Sequence, residues 1–294
     1  MSKLVAMENS PISKRWGDLT PSDVLQIYLL EGYDGLVRRA PLSAKPRVIF
    51  EKSLKYLPAD PRCVWCSAPF KGVGAPLMRA IGKNKSKYNP NLCTECEDFV
   101  RQNKASAEVD MSLVFADIRG STALAEKLNP SEFSRLINRF YTVASDILVS
   151  AKAYIEKLAG DQVSAFFTPG LAGAEHYKIA IQAAKDIMLA TGHGEPQGPW
   201  APAGIGVHSG VSFFGAVGSP DGLTELSILG DPPNTAARLA SSAKDGEILI
   251  STTIAEKAGL DTNSLEMREL ELKGKQEKVT VWVETVGANI VQAT

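Results

Sequence analysis

The chain has 294 residues, 44% of them apolar, with 32 Lys and Arg against 33 Asp and Glu and a formal net charge of −1. That length accommodates one domain of ordinary size plus a smaller module with a sizeable buried core, and the balanced charge excludes the global basic field with which proteins hold nucleic acid or an anionic membrane. No apolar run reaches the length of a membrane span, and the opening MSKLVAMENSPISKRWGD lacks the apolar stretch and cleavage site of a secretory signal, so a cytoplasmic protein with no membrane partner is expected.

The pattern divides the chain into a helical leader (1–60), a cysteine module (61–97), a linker (98–108), a long segment of alternating strands and helices (109–286) and a tail (287–294). In the leader, 23–38 reads as a helix with Ser22 as its N-cap. Further on, 112–116 reads as a buried strand, and 132–151 carries Phe133, Leu136, Ile137, Phe140, Ala144, Ile147 and Leu148 at helical spacing. YIEKL and QVSAFF flank Gly160 and read as a hairpin. Residues 174–190 form another amphipathic helix, and AGIGVHSG and VSFFGAVG are expected to make a second hairpin around Ser209 and Gly210. ELSIL is a strand; Pro232 and Pro233 open a helix to about residue 242, proline being tolerated in a first turn. GEILIS, EMRELEL and VTVWVET are late strands. Alternation interrupted by hairpins predicts an α+β sandwich, one mixed sheet with helices, over a doubly wound parallel sheet.

All four cysteines fall in two pairs, Cys63 with Cys66 and Cys93 with Cys96, each spaced by two residues and separated by 26. Two such knuckles point to one tetrahedral four-thiolate site. Structural Zn²⁺ is the favoured occupant and an iron–sulfur cluster the alternative. Between the pairs lie Lys71, Arg79, Lys83, Lys85 and Lys87, with Tyr88 the one aromatic among them, so a solvated charged loop is expected there and nucleic acid is not.

Five stretches carry chemistry. In Phe115-Ala116-Asp117-Ile118-Arg119-Gly120-Ser121-Thr122 a strand ends in a carboxylate and turns through glycine into a helix, aiming the backbone N–H groups of Gly120 and Ser121 at anything anionic. Glu156-Lys157-Leu158-Ala159-Gly160-Asp161 puts a second carboxylate at a hairpin turn. If that hairpin pairs beside the first strand, two hard oxygen ligands for Mg²⁺ converge. The third stretch runs from Leu226 to Leu239 and sets Asn234 and Arg238 four apart on one helix face. Gly204–Gly210 with Phe214–Gly218 is the fourth, and the basic tip Leu272-Lys273-Gly274-Lys275 the fifth.

In order and spacing these stretches, over about residues 108–286, resemble the class III adenylate/guanylate cyclases. The resemblance implies the ferredoxin-like class III cyclase sandwich and a two-metal reaction with Mg²⁺ or Mn²⁺ on Asp117 and Asp161, supplemented by the Ile118 carbonyl. It makes Lys157 and Ser227 the base-reading residues, Asn234 the ribose-orienting one, Arg238 the transition-state donor, and Lys273, with Gly120 and Ser121, the grip on the triphosphate. It further implies a head-to-tail homodimer in which Asp117, Asp161 and Lys157 come from one chain and Ser227, Asn234, Arg238 and Lys273 from the other. A lysine donor and a hydroxyl acceptor match the N1 and N6 edge of adenine, so ATP is the expected substrate and cyclic AMP the product, a lyase step in signal transduction. The alternatives are a cyclase for GTP or a pyrimidine nucleotide, or a catalytically silent nucleotide-binding or zinc-ribbon regulator. The sequence departs from the family pattern at Ser227, where Thr or Asp is usual, at Pro233, where an apolar residue such as Val is usual, and at the small Ala159.

Each residue also has a plainer reading. Asp beside Gly commonly caps a turn, an exposed arginine at 238 is an ordinary surface cation, Lys273 and Lys275 protect a hairpin edge, and Lys157 can lie along a sheet face. His208 is expected to be structural, since the implied chemistry needs no histidine.

Overall fold

A computed structural model describes residues 14–45, 53–56, 61–87, 89–219, 224–275 and 277–286. Tyr88, the tail 287–294 and the first 13 residues, with the secretory-signal reading placed on them, lie outside the described residues. Chain order is α1 (Pro21–Arg39), α2 (Ala75–Ala80), α3 (Thr94–Gln102), β1 (Ser106–Ile118), α4 (Ser121–Lys127), α5 (Pro130–Ser150), β2 (Tyr154–Ala159), β3 (Gln162–Phe167), α6 (Pro169–Ala172), α7 (His176–Ala190), β4 (Ala203–Gly218), β5 (Thr224–Leu229), α8 (Asp231–Ser242), β6 (Glu247–Ser251), α9 (Thr252–Ala258), β7 (Glu266–Leu270) and β8 (Val279–Thr285). Residues 98–108 are thus the second half of α3 and the first turn-out into β1.

The described strands form one mixed sheet in the order β2-β3-β1-β4-β6-β8-β7, with β5 paired to β4. Contacts divide the chain into two compact units: residues 1–109, 168–173 and 213–229, and residues 110–167, 174–212 and 230–294.

In the first unit α1 begins earlier than the sequence suggests. Thr20, not Ser22, is its N-cap: the Thr20 hydroxyl accepts from the Asp23 N–H at 3.2 Å, and the Asp23 carboxylate accepts from the Thr20 N–H at 2.8 Å. Pro21, with its φ already helical, fixes that start, and the Ser22 hydroxyl instead accepts from the Ser106 N–H at 3.1 Å. The helix breaks at Gly32 (φ 64°), where a Cβ would come 2.7 Å from the carbonyl oxygen of Gly170 on α6. Leu25, Ile27, Leu29 and Leu36 are buried, each burial removing about 1.5–3 kcal/mol of apolar exposure.

In the second unit α5 is capped by a reciprocal pair, Asn129 with Glu132, and buries Ile137, Phe140, Ala144 and Leu148. The expected hairpin of β2 and β3 is present, with Gly160 at φ 64° in its turn. The expected second hairpin is not: β4 runs unbroken through Ser209 and Gly210. Its glycines serve packing instead of turning. A Cβ on Gly206 would lie 2.4 Å from the Ala236 carbonyl oxygen and the Ala240 nitrogen, and one on Gly210 would lie 2.7 Å from the Pro232 ring, so α8 rides directly on the strand. Leu239 and Ala243, from α8 and just beyond it, close a core with Leu249, Leu272, Val281 and Val283.

Candidate active site

β1 and β3 pair antiparallel with Asp117 opposite Gln162, so the end of β1 meets the β2–β3 turn. The Ile118 N–H donates to the Asp161 carbonyl at 3.1 Å, which fixes the two carboxylates beside each other. Burial pushes the Asp117 carboxyl up to about 6; Arg119 opposes the shift and the Asp161 carboxylate adds to it. One Asp117 oxygen is paired with the Arg119 guanidinium, while its other oxygen, Oδ1, is buried without a hydrogen-bond partner among the described residues. Two converging carboxylates, one of which gives one oxygen to a guanidinium and keeps its other oxygen buried and unengaged, form a donor set suited to a hard divalent cation.

Sequence reasoning missed two supports of this corner. Arg119 NH1 also donates to the carbonyls of Ser241, at 3.0 Å, and Ala243, at 3.3 Å, tying the carboxylate end to the C-terminus of α8. Tyr141 on α5 donates to the Gly160 carbonyl at 2.8 Å, and burial, with the Asp161 charge, raises its hydroxyl pKa. Neither contact has a local sequence signature, because both partners lie far away along the chain.

Gly120, in the left-handed region at φ 67°, is the residue from which α4 starts, and Ser121 is the first residue of that helix. Lys157 lies exposed on β2 beside an irregularity in the β2–β3 pairing, and its carbonyl accepts from the Ser164 hydroxyl at 3.3 Å. Ser227 lies in the first unit, half-buried on β5 opposite Gly215.

Asn234 is exposed and Arg238 half-buried on α8. The Arg238 guanidinium lies against the β7–β8 turn: a Cβ on Gly274 (φ 78°) would stand 3.3 Å from its NH2. Lys273 is exposed next to it, and Lys275 pairs with Asp231 at the start of α8, which lowers the Asp231 pKa. His208 beneath is pushed down to about 4, first by burial and then by the Lys275 charge, and its Nδ1 shares a 2.7 Å hydrogen bond with the Ser251 hydroxyl. Among the described residues neither Arg238 nor Lys273 forms an ion pair with Asp117 or Asp161. β1 and β8 stand three places apart in the sheet, about 14 Å at ordinary strand spacing.

The cysteines make a separate centre in the first unit. All four are buried and unbridged, and their sulfurs lie within 4.8 Å of one another, Cys66 and Cys93 at 3.6 Å. Thiolates around one tetrahedral ion at about 2.3 Å sit about 3.8 Å apart, so the set fits a single metal. Hydrogen bonds from Cys63, Cys66 and Cys96 pull the Cys93 thiol far below its ordinary value; contacts with Cys63 and Cys93 push Cys66 up against an opposing one from Cys96, and contacts with the other three push Cys96 up. The neighbouring basic stretch is not uniformly solvated: Lys83 is buried and paired with Glu95 at 2.8 Å.

A mixed sheet with two carboxylates gathered at the β1 and β3 ends, and a basic turn beside a helix carrying Asn and Arg, defines a nucleotide-cyclase type of protein. Residues 103–285 match the adenylate and guanylate cyclase catalytic domain, and the chain belongs to that family. It is 28% identical over 181 residues to an adenylate cyclase of Anabaena cylindrica, covering 58% of this chain and 36% of the relative. It is 30% identical over 181 residues to human retinal guanylyl cyclase 1, covering 59% and 16%. The match therefore spans about a third or less of these relatives' own length. Among solved structures it resembles the guanylyl cyclase Cya2 (TM-score 0.55, 25% identity, 62% of this chain and 95% of that one). It also resembles the adenylyl cyclase CyaB from P. aeruginosa (TM-score 0.52, 25% identity, 60% and 94%).

Proposed function

We propose that the protein is an adenylate cyclase that converts ATP to 3′,5′-cyclic AMP and pyrophosphate in a head-to-tail homodimer. The convergence of Asp117 and Asp161, with a buried Asp117 oxygen left unengaged, carries this reading. In the reaction the ribose 3′-oxygen forms a bond to the α-phosphorus, the bond from that phosphorus to the bridging oxygen breaks, and the hydroxyl proton is released. Asp117 and Asp161 would hold two divalent cations, with the Ile118 carbonyl as a further ligand. Bound there, the ions would supply Lewis acidity toward the 3′-hydroxyl and the leaving pyrophosphate. Arg238 presents a planar fork to the phosphoryl oxygens. Asn234 orients the ribose, Lys273 with the Gly120 and Ser121 backbone grips the triphosphate, and Lys157 and Ser227 read the base. Nucleophile and electrophile belong to one substrate, so the protein's work is to hold it in line.

Completion of each centre by a second copy follows the arrangement that the family resemblance implies, Asp117, Asp161 and Lys157 from one chain and Ser227, Asn234, Arg238 and Lys273 from the other. The serine at position 227, where Thr or Asp is common in the family pattern, keeps a cyclase for GTP or a pyrimidine nucleotide as the second reading. The four-cysteine module, residues 61–97, holds a structural Zn²⁺ ahead of a catalytic domain at 109–286, and the sulfur spacing supports a single ion over an iron–sulfur cluster. Among the described residues no helix is long and apolar enough to cross a membrane, which agrees with a cytoplasmic signalling enzyme. The test is to supply each of the four nucleoside triphosphates with Mg²⁺ or Mn²⁺ and identify products by mass spectrometry. Cyclic AMP from ATP is expected; no cyclic nucleotide from any of them refutes the reading.

A further inference from the structure

Residues 61–94 carry Arg62, Lys71, Arg79, Lys83, Lys85 and Lys87 and no Asp or Glu, in a chain whose formal net charge is −1. Arg62 donates to the Leu54 carbonyl at 3.1 Å, and Lys83 is buried against Glu95. Lys71, Arg79, Lys85 and Lys87 are exposed, and among the described residues no ion pair or side-chain hydrogen bond engages them. Of the acids that follow, Glu95 is paired with Lys83 and Glu97 with Arg101 at 2.7 Å, which leaves Asp98 on α3; the four cysteines are buried.

The same segment shows aliphatic surface to water: Val73, Leu77 and Ile81 are 80%, 54% and 50% exposed. The short helix α2 buries Ala75 and Met78, while Leu77 and Ile81, one turn apart, lie on a face left open. Gly82 follows at φ 83°, and a Cβ there would meet nothing within 4 Å, so this turn stands out into solvent. One exposed aliphatic side chain is ordinary. Three of them between 73 and 81, beside four unanswered cations, make a surface for something both anionic and apolar. Single-stranded nucleic acid supplies the charge but is held on aromatic stacking platforms, and Val73, Leu77 and Ile81 are aliphatic. A projecting tip also offers no groove for a protein segment to enter. An anionic bilayer supplies both parts, headgroups for Lys and Arg and acyl chains for the aliphatic tips.

We propose that residues 71–87, between the two cysteine pairs, dock the chain on an anionic lipid surface. Val73, Leu77 and Ile81 enter the boundary between headgroups and acyl chains, and Lys71, Arg79, Lys85 and Lys87 lie among the headgroups. Such contact is peripheral and needs neither a membrane-spanning helix nor a basic charge over the whole chain, the two features whose absence led to the expectation of no membrane partner. The surface lies wholly in the first unit and stands apart from the cyclase reading.

The test is co-sedimentation of the full chain, with its metal in place, with vesicles of phosphatidylcholine alone or with roughly 30% phosphatidylglycerol. Saturable binding to the anionic vesicles is expected, about tenfold or more tighter than to neutral ones and weakened by added salt. Replacing Arg79, Lys85 and Lys87 together by Gln should weaken binding about a hundredfold, near fivefold for each cation. The pair Leu77→Ser and Ile81→Ser should weaken it about tenfold or more. All five side chains are exposed, so metal content at the cysteines, followed by elemental analysis, is expected to stay unchanged; if the serine pair loses metal, Val73→Ser decides, with about a threefold loss of binding. No binding to anionic vesicles, equal binding to neutral ones, or serine variants that bind as well as the parent would each overturn the proposal. So would a short DNA duplex or polyglutamate that binds more tightly than the vesicles, since the surface would then belong to nucleic acid or an acidic protein.

Discussion

At the ends of β1 and β3 the chain gathers negative charge and withdraws it from water; on α8 and the β7–β8 turn it gathers positive charge and leaves much of it exposed. Asp117 is pushed up to about 6 by burial, and its Oδ1 has no partner among the described residues. Asn234 and Lys273 are exposed, and Arg238 rests against a glycine turn. The first arrangement is costly by itself, because neighbouring like charges repel and burial strips hydration from Asp117. The second costs little and gains only when an anion arrives. Each is half of a centre, and one chain does not bring the halves into ion-pair contact among its described residues.

The sharpest way to break this comparison is to remove a carboxylate. Asp161→Asn is expected to lower cyclase turnover by about a thousandfold or more, roughly 4 kcal/mol, while metal content at the four cysteines, measured by elemental analysis, stays unchanged. A residual rate near that of the parent would show that the buried pair holds no essential cation. On the positive half, Arg238→Ala should lower kcat by about a hundred- to a thousandfold, the size of one fixed transition-state donor, with a smaller change in KM. An effect on KM alone would make Arg238 a ground-state binding group.

Arg119 links the two regions, since it pairs with Asp117 and donates to the carbonyls behind α8. Arg119→Ala should raise the Asp117 pKa further and loosen the end of α8, giving about a tenfold loss of activity, within the range for one charge-assisted contact. Activity unchanged at all Mg²⁺ concentrations would reduce it to a surface pair.

Much of this arrangement was legible in the chain. Paired cysteines at two-residue spacing, the glycine turn before Asp161 and the strand ending in Asp117 are local patterns, and local patterns survive folding. Gly210 misled because glycine has two uses. The sequence shows a small residue where a turn would want one, yet Gly210, like Gly206, is small because α8 lies on β4. Thr20 displaced Ser22 as the cap because Pro21 starts the helix. Arg119 and Tyr141 find their partners 122 and 19 residues away, and Lys83 is buried against a glutamate 12 positions on, so neither periodicity nor motif could reveal them.

The smallest effect concerns acid. His208, under the positive half, is held at about 4 in the folded chain by burial against an ordinary value of 6.5. Between those values the unfolded chain binds a proton that the folded chain refuses, so stability is intact above about pH 6.5 and falls as the pH drops toward 4. Denaturant titration at several pH values should show that fall, with a shallower slope in His208→Gln. An unaltered slope would remove His208 from the account.

The division of the centre between two copies is tested most directly by complementation. Asp117→Asn and Arg238→Ala chains, each nearly inactive alone, are mixed under conditions where mass spectrometry shows subunit exchange. A heterodimer then holds one centre with both defects and one with neither. Activity is expected to return to about one quarter of the parent level for random pairing in a two-fold dimer. A mixture that forms heterodimers yet remains as inactive as its components would contradict the account.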